Sequence, residues 1–237
     1  MTGAGWTAER LGDPAGPLLA VFVHGGFWRA RYAADTIAPL AEACAASDPY
    51  PWVWNLEYPR VGMPGGGWPG TARAVGAAVG AAVEAAGGRP VVVIGHSAGG
   101  HLALWAAGEQ ARAAGVAGGA GPAAVVSLAG VCDLRAALGL SNGAVRDFAG
   151  GAPDDAFHAA ASPAERLPLG VPALLIHGDA DANVPIEQSR AYDAAARAAG
   201  DECELIELPG AEHFEVVDPA GRAWPVVRAR LEAIAAG

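Results

Sequence analysis

Residues 91–100 read Val-Val-Val-Ile-Gly-His-Ser-Ala-Gly-Gly, an apolar, β-branched run that meets a serine set between glycines. Four apolar residues in a row after Pro90 suit a strand buried on both faces, as parallel strands covered by helices are. Beyond Ser97, residues Leu102, Ala103, Trp105 and Ala106 recur at helical spacing. Strand, sharp turn and helix together describe a nucleophile elbow, with Ser97 exposed at the head of the helix and Gly95 and Gly99 relieving the crowding. The Gly-x-Ser-x-Gly pattern alone is weak, since the glycine content supplies about 0.1 such matches by chance. Its strand-and-helix context makes it informative.

Outward from the elbow, strand and helix signals alternate, which predicts a mostly parallel sheet with helices on both faces. The strand signals cover 18–23, 52–56, 91–94, 123–128, 171–176 and 203–208. The helical ones cover 35–46, where Pro39 starts or kinks the helix, and 71–86, 188–199 and 224–235. Residues 131–167 break the rhythm with Gly, Asn, Pro and charges. They are too short for a core of their own, so they read as a small cap over the site within one domain spanning 1–237. The loop at 58–70, YPRVGMPGGGWPG, follows a strand's C-terminal end, where doubly wound sheets hold their ligands. It equally suits a surface loop whose Trp68 merely packs.

Composition narrows the chemistry. The net charge of −10 argues against nucleic acid or an anionic membrane as partner, because both need a basic face. All 15 basic residues are arginine, so lysine chemistry of every kind is excluded: no P-loop lysine, no Schiff base, no Ser-Lys dyad. Cys44, Cys132 and Cys203 are odd in number and far apart, against a disulfide framework or a cysteine zinc site. The first residues lack a charged and then apolar leader, and no apolar run approaches membrane-spanning length. A cytoplasmic location is the expectation, and a homodimer is left open.

A serine hydroxyl needs a base to take its proton, and the base needs an acid to orient it. In sheet hydrolases the chain order is Ser, then Asp or Glu, then His. Beyond the strand at 171–176, HGDADANVP offers Asp179 and Asp181. Asp179 sits where it would tie down the turn through backbone amides, so Asp181 is the chosen acid. Beyond the last strand, LPGAEHFEV supplies His213 as the base. The other histidines read as structural: His24 bracing a loop, His96 in the elbow with its side chain turned away from Ser97, His101 in the core, and His158 and His177 by default. An oxyanion hole needs the amide of the residue after the nucleophile, Ala98, and a second amide from the loop after the first strong strand. That loop reads His24-Gly25-Gly26-Phe27-Trp28, and its glycines allow close approach at Gly26 or Phe27. Aromatic pocket candidates are Phe27, Trp28, Tyr58, Trp68 and Phe157, which favour a small or aromatic substrate group. Arg29, Arg31 and Arg60 lie in the same loops.

With Ser97, Asp181, His213 and HGGFW in place, the chain resembles the α/β-hydrolase superfamily from about residue 18 to its end. HGGFW is similar to the H-G-G-x-W motif of esterases related to kynurenine formamidase (arylformamidase). HGDADANVPIEQS and LPGAEHF resemble bacterial esterases and prolyl-oligopeptidase-type hydrolase domains. The resemblance implies a triad, no cofactor or metal, and a small-molecule ester or activated amide as substrate. A carboxylesterase-like reaction leads, with arylformamidase as the alternative. A binding protein of this fold without turnover stays open as another class. So little precedes Leu18 that the antiparallel strands opening this fold must be short or missing, and the absence of a propeller counts against a true oligopeptidase.

Overall fold

The computed structural model describes residues 5–48, 51–117 and 119–237. A seven-stranded sheet runs in the order β1-β3-β2-β4-β5-β6-β7, formed by β1 (Thr7–Gly12), β2 (Leu19–Val23), β3 (Trp52–Glu57), β4 (Val91–His96), β5 (Ala124–Leu128), β6 (Ala173–Gly178) and β7 (Cys203–Leu208). All neighbours are parallel except β1, which pairs antiparallel with β3 from Thr7↔Glu57 to Gly12↔Trp52. One short opening strand is therefore present. Its residues are mostly exposed, so it carries none of the apolar patterning that marks the inner strands.

Successive side chains of a strand point to opposite faces, and β2 shows what that does here. Leu19, Val21 and Val23 join the core under α2 (Gly70–Ala86), α3 (Ala98–Ala117) and α6 (Glu187–Ala198). Leu18, Ala20 and Phe22 join the opposite core under α1 (Ala38–Ala45) and α7 (Ala223–Ala235). A strand that must feed both cores exposes neither face, and β2, β4, β5 and β6 are buried throughout. Pro39 lies in the first turn of α1, where its missing N–H is harmless. A separate 3₁₀ turn at Ala34–Thr36 precedes that helix.

After β2 the chain moves outward to β3, then returns to place β4 on the other side of β2. The loops leaving β2 and β4 thus diverge, and a crevice opens between them at the carboxyl ends of the strands. Residues 131–167 form two short helices, α4 (Ala144–Ala149) and α5 (Asp155–Ala161), with 3₁₀ turns at Ala136–Gly139 and Pro163–Arg166. Among the described residues no helix is long and apolar enough to cross a membrane.

Candidate active site

Ser97 stands between β4 and α3 with φ 57°, a left-handed conformation that a non-glycine residue holds only when its surroundings enforce it. Here they do. Its amide donates to the Leu128 carbonyl at 2.9 Å, and its own carbonyl accepts from the amides of Val131 and His101, each at 3.2 Å. The turn is so tight that a Cβ at Gly95 would run into the Gly99 carbonyl, and one at Gly99 into the Val23 carbonyl. Both elbow glycines are therefore steric necessities.

The loop after β6 holds Asp181 buried. Its Oδ1 accepts from the amides of Asn183 (2.8 Å) and Val184 (2.9 Å). Its Oδ2 lies 2.7 Å from Nδ1 of His213, which enters from the loop after β7. Burial works against the Asp181 charge, but hydrogen bonds from His177, His213 and the Val184 amide outweigh it, so the carboxyl is held below its ordinary range. A carboxylate that accepts on Oδ2 fixes the proton of His213 on Nδ1 and leaves Nε2 as the free base. His213 and Ser97 line one cavity with Gly25, Gly26, Phe27, Tyr32, Thr36, His96 and Phe214. No hydrogen bond joins the Ser97 hydroxyl to the imidazole; in unliganded sites this bond is often long and closes around substrate. Asp179 does something else: its Oδ1 takes the Gly210 amide and ties the turn after β6 to that after β7.

The loop after β2 turns through three consecutive left-handed residues, Gly26 (φ 107°), Phe27 (φ 58°) and Trp28 (φ 56°). Strain at two non-glycine positions in succession needs anchors. Arg29 supplies one, gripping Asp147 in α4 of the cap with Nη2 at 2.7 Å and Nε at 3.1 Å. The 58–70 loop supplies another, since Val61 donates to the Trp28 carbonyl (2.8 Å) and receives the Ala30 amide (3.0 Å). The Trp28 indole donates to Nδ1 of His101 at 3.2 Å. The amides of Gly26, Phe27 and Ala98 are not taken by any acceptor among the described residues. They border the space around Ser97, where a developing oxyanion would meet them.

Residues 77–226 match the prolyl oligopeptidase family, well over half of the chain. The chain belongs to that family. No curated protein matches it by sequence. Among solved structures it is similar to the HSL homologue EstE7 from a metagenome library, with TM-score 0.77 and 22% identity over 99% of this chain and 87% of that one. It is also similar to an esterase/lipase from an uncultured bacterium, with TM-score 0.75 and 20% identity over 100% and 87% of the two chains. A third is carboxyl esterase 2 of the mycorrhizal fungus Tuber melanosporum, with TM-score 0.71 and 18% identity over 99% and 85%. These likenesses establish the α/β-hydrolase fold.

This member of the prolyl oligopeptidase family corrects several expectations about its pocket. A narrow apolar cavity, about 290 Å³ of free space including its mouth, opens beside Ser97 and Ala98. Phe27 and Trp28 line it, but Tyr58, Trp68 and Phe157 do not. Tyr58 is core: it stacks on His24 with ring centroids 4.3 Å apart and donates its hydroxyl to the His24 carbonyl at 2.6 Å. Trp68 and Phe157 pack edge to face at 5.9 Å in a cluster with Trp105 and Phe148. The walls come instead from aliphatic residues of the 131–145 segment, Val131, Ala137, Leu140, Ala144 and Val145, and from Val184. Sequence reasoning passed over these because a loop aliphatic carries no signal of which way it faces. His96 is the second correction. Its side chain does not turn away from the site but donates Nε2–H to the His213 carbonyl at 3.0 Å, with the two rings 4.6 Å apart.

Every cysteine is buried and unpaired, and burial pushes each thiol up to about 12, which leaves none of them as a ready thiolate. Among the described residues no group of His, Cys, Asp and Glu has the grouping to hold a metal ion.

Three histidines are buried neutral, with burial lowering His24 to about 4, His96 to about 3 and His101 to about 4. The unfolded chain protonates them near 6.5, whereas the folded protein refuses those protons until the pH is far lower. Their effect on stability is therefore absent above neutral pH and grows as the pH falls from 6.5 toward 4. Each such group removes roughly 1 kcal/mol per pH unit in that window. Urea unfolding at pH 7.5 and pH 5 is expected to show a loss of several kcal/mol in sum. Equal stabilities would contradict the neutral assignment.

Proposed function

We propose that the protein is a serine hydrolase that cleaves small carboxylic esters through an acyl-enzyme. The observation that carries the proposal is the Asp181–His213 hydrogen bond of 2.7 Å, its imidazole sharing a cavity with a serine on a strained elbow. Ser97 Oγ attacks the ester carbonyl while Nε2 of His213 takes the hydroxyl proton, and Asp181 holds the imidazole in the required tautomer. The oxyanion is received by the Ala98 amide with that of Gly26 or Phe27. His213 returns the proton to the departing alcohol, then activates a water that cleaves the acyl-enzyme.

Two cavities meet at Ser97 and Phe27, and they differ in character. The aliphatic one is narrow and suits a short acyl group. The one beside His213 is bordered by the aromatic rings of Phe27, Tyr32 and Phe214 and suits the departing group. That aromatic side favours a second reading, an arylformamidase, whose leaving group is an arylamine and whose acyl group is the smallest there is. Family membership adds the peptide reading, and the three are separated by one set of assays. Turnover of p-nitrophenyl acetate, N-formylkynurenine and a prolyl anilide is compared by kcat/KM at equal enzyme concentration. The acetate ester is expected to lead, with p-nitrophenyl esters of longer acids falling away. A dominant N-formylkynurenine activity would replace the ester reading with the second, and turnover of the prolyl anilide alone would remove both.

A further inference from the structure

His177, the penultimate residue of β6, takes no part in the steps above, yet it is fully buried against the acid of the site. Its Nε2 lies 2.9 Å from the Val184 carbonyl oxygen and 3.2 Å from Oδ2 of Asp181. Both are acceptors without a proton, so Nε2 must carry the hydrogen that both share, the shorter contact being to Val184. Its Nδ1 lies 2.7 Å from the Ser189 hydroxyl oxygen, which tethers the other side of the ring. Oδ2 of Asp181 thus faces two imidazole N–H groups, one from His177 and one from His213, while Oδ1 takes two backbone amides. Four donors saturate a carboxylate. Each one both fixes its orientation and draws charge from it.

We propose that His177 is a positioning residue: it donates to the carboxylate oxygen that receives His213, holding Asp181 in place and limiting how strongly that carboxylate polarises the catalytic imidazole. The inference rests on the reading of Asp181 and His213 as acid and base. Loss of the His177 donor concentrates negative charge on Oδ2, strengthens its pull on His213 Nδ1–H and favours the imidazolium. His213 then becomes a free base only at higher pH. The other groups near this chain of contacts are accounted for. His96 packs on His213 and is held neutral by burial, Glu207 pairs across from His177 on β7 but is engaged by Arg190, and Asp179 is bound to Gly210.

The test reads His213 directly, by following its ring nitrogens through a pH titration with ¹⁵N-histidine NMR, and in parallel the acid limb of kcat/KM for p-nitrophenyl acetate. In His177→Phe both are expected to move up by roughly half a pH unit to one unit. His177→Gln keeps an N–H within reach of Asp181 and should recover most of that shift. If His177→Phe does not fold, Ser189→Ala frees the ring from its tether and should move the titration in the same direction by less. An unmoved His213 titration in the folded variants, with activity lost, would leave His177 a purely structural role and overturn the proposal. A shifted titration in a protein that does not hydrolyse the ester would instead uphold the positioning role and overturn the function proposed for the site.

Discussion

Replacing Ser97 by alanine is expected to lower p-nitrophenyl acetate turnover by about 10⁵- to 10⁶-fold, the scale seen when a triad nucleophile is removed, while leaving the fold intact. Removal of the hydroxyl takes away the proposed nucleophile, and no cysteine or lysine stands ready to replace it. The cysteines are buried with raised thiol pKa values, and the chain has no lysine. The residue must keep φ 57° and its hydrogen bonds to Leu128, Val131 and His101, all of which are made by the main chain. Alanine can make them too, so unfolding should not confuse the result. Circular dichroism and thermal unfolding of the variant check this, and the residual rate reports what the oxyanion amides and the cavity do without a nucleophile. A residual rate within tenfold of the parent would show that Ser97 is not the nucleophile.

Asp181→Asn is expected to lower kcat by about 10⁴-fold, because an amide nitrogen facing His213 favours the wrong imidazole tautomer. The geometry makes this sharper than a generic triad prediction. Oδ1 is held by two amides and Oδ2 by two imidazoles, so the carboxamide cannot rotate to a harmless orientation. Either end of an asparagine leaves N–H facing N–H. The nearby Asp179→Asn is the control. The Asp179 side chain binds the Gly210 amide, through an oxygen that asparagine retains, and its replacement should change kcat by less than about tenfold. If the two effects were reversed, the acid would be Asp179 and the assignment of the loop would be wrong.

The sheet was legible because each inner strand must feed two cores, and that demand writes unbroken apolar runs such as Val91–Ile94 into the sequence. β1 was not legible for the opposite reason. It lies at the sheet edge with little buried surface, and its residues keep no alternation that a reader could find. The order Ser97, Asp181, His213 could be read because each residue follows a strand and all parallel strands end at one edge. Cavity walls followed a different logic. Aromatic residues in the loops were natural pocket candidates, yet Tyr58 is consumed by its hydroxyl bond to His24 and its stacking, and Trp68 and Phe157 by each other. Rings that bury large areas pack wherever a core needs filling. Most of the aliphatic residues that do line the cavity sit in the cap, which the Arg29–Asp147 ion pair ties to the loop after β2 across more than a hundred residues of sequence. No local pattern encodes that pairing. His96 shared the same blind spot, since its partner His213 is distant in the chain.

Treating the purified protein with a fluorophosphonate and locating the adduct by peptide mass spectrometry addresses the central claim at its source, since only a serine activated by a neighbouring base reacts at a useful rate. The expected result is one adduct per chain, on the hydroxyl of Ser97, formed far more slowly in His213→Ala. Absence of an adduct, or one formed as fast without His213, would contradict an activated serine at this elbow.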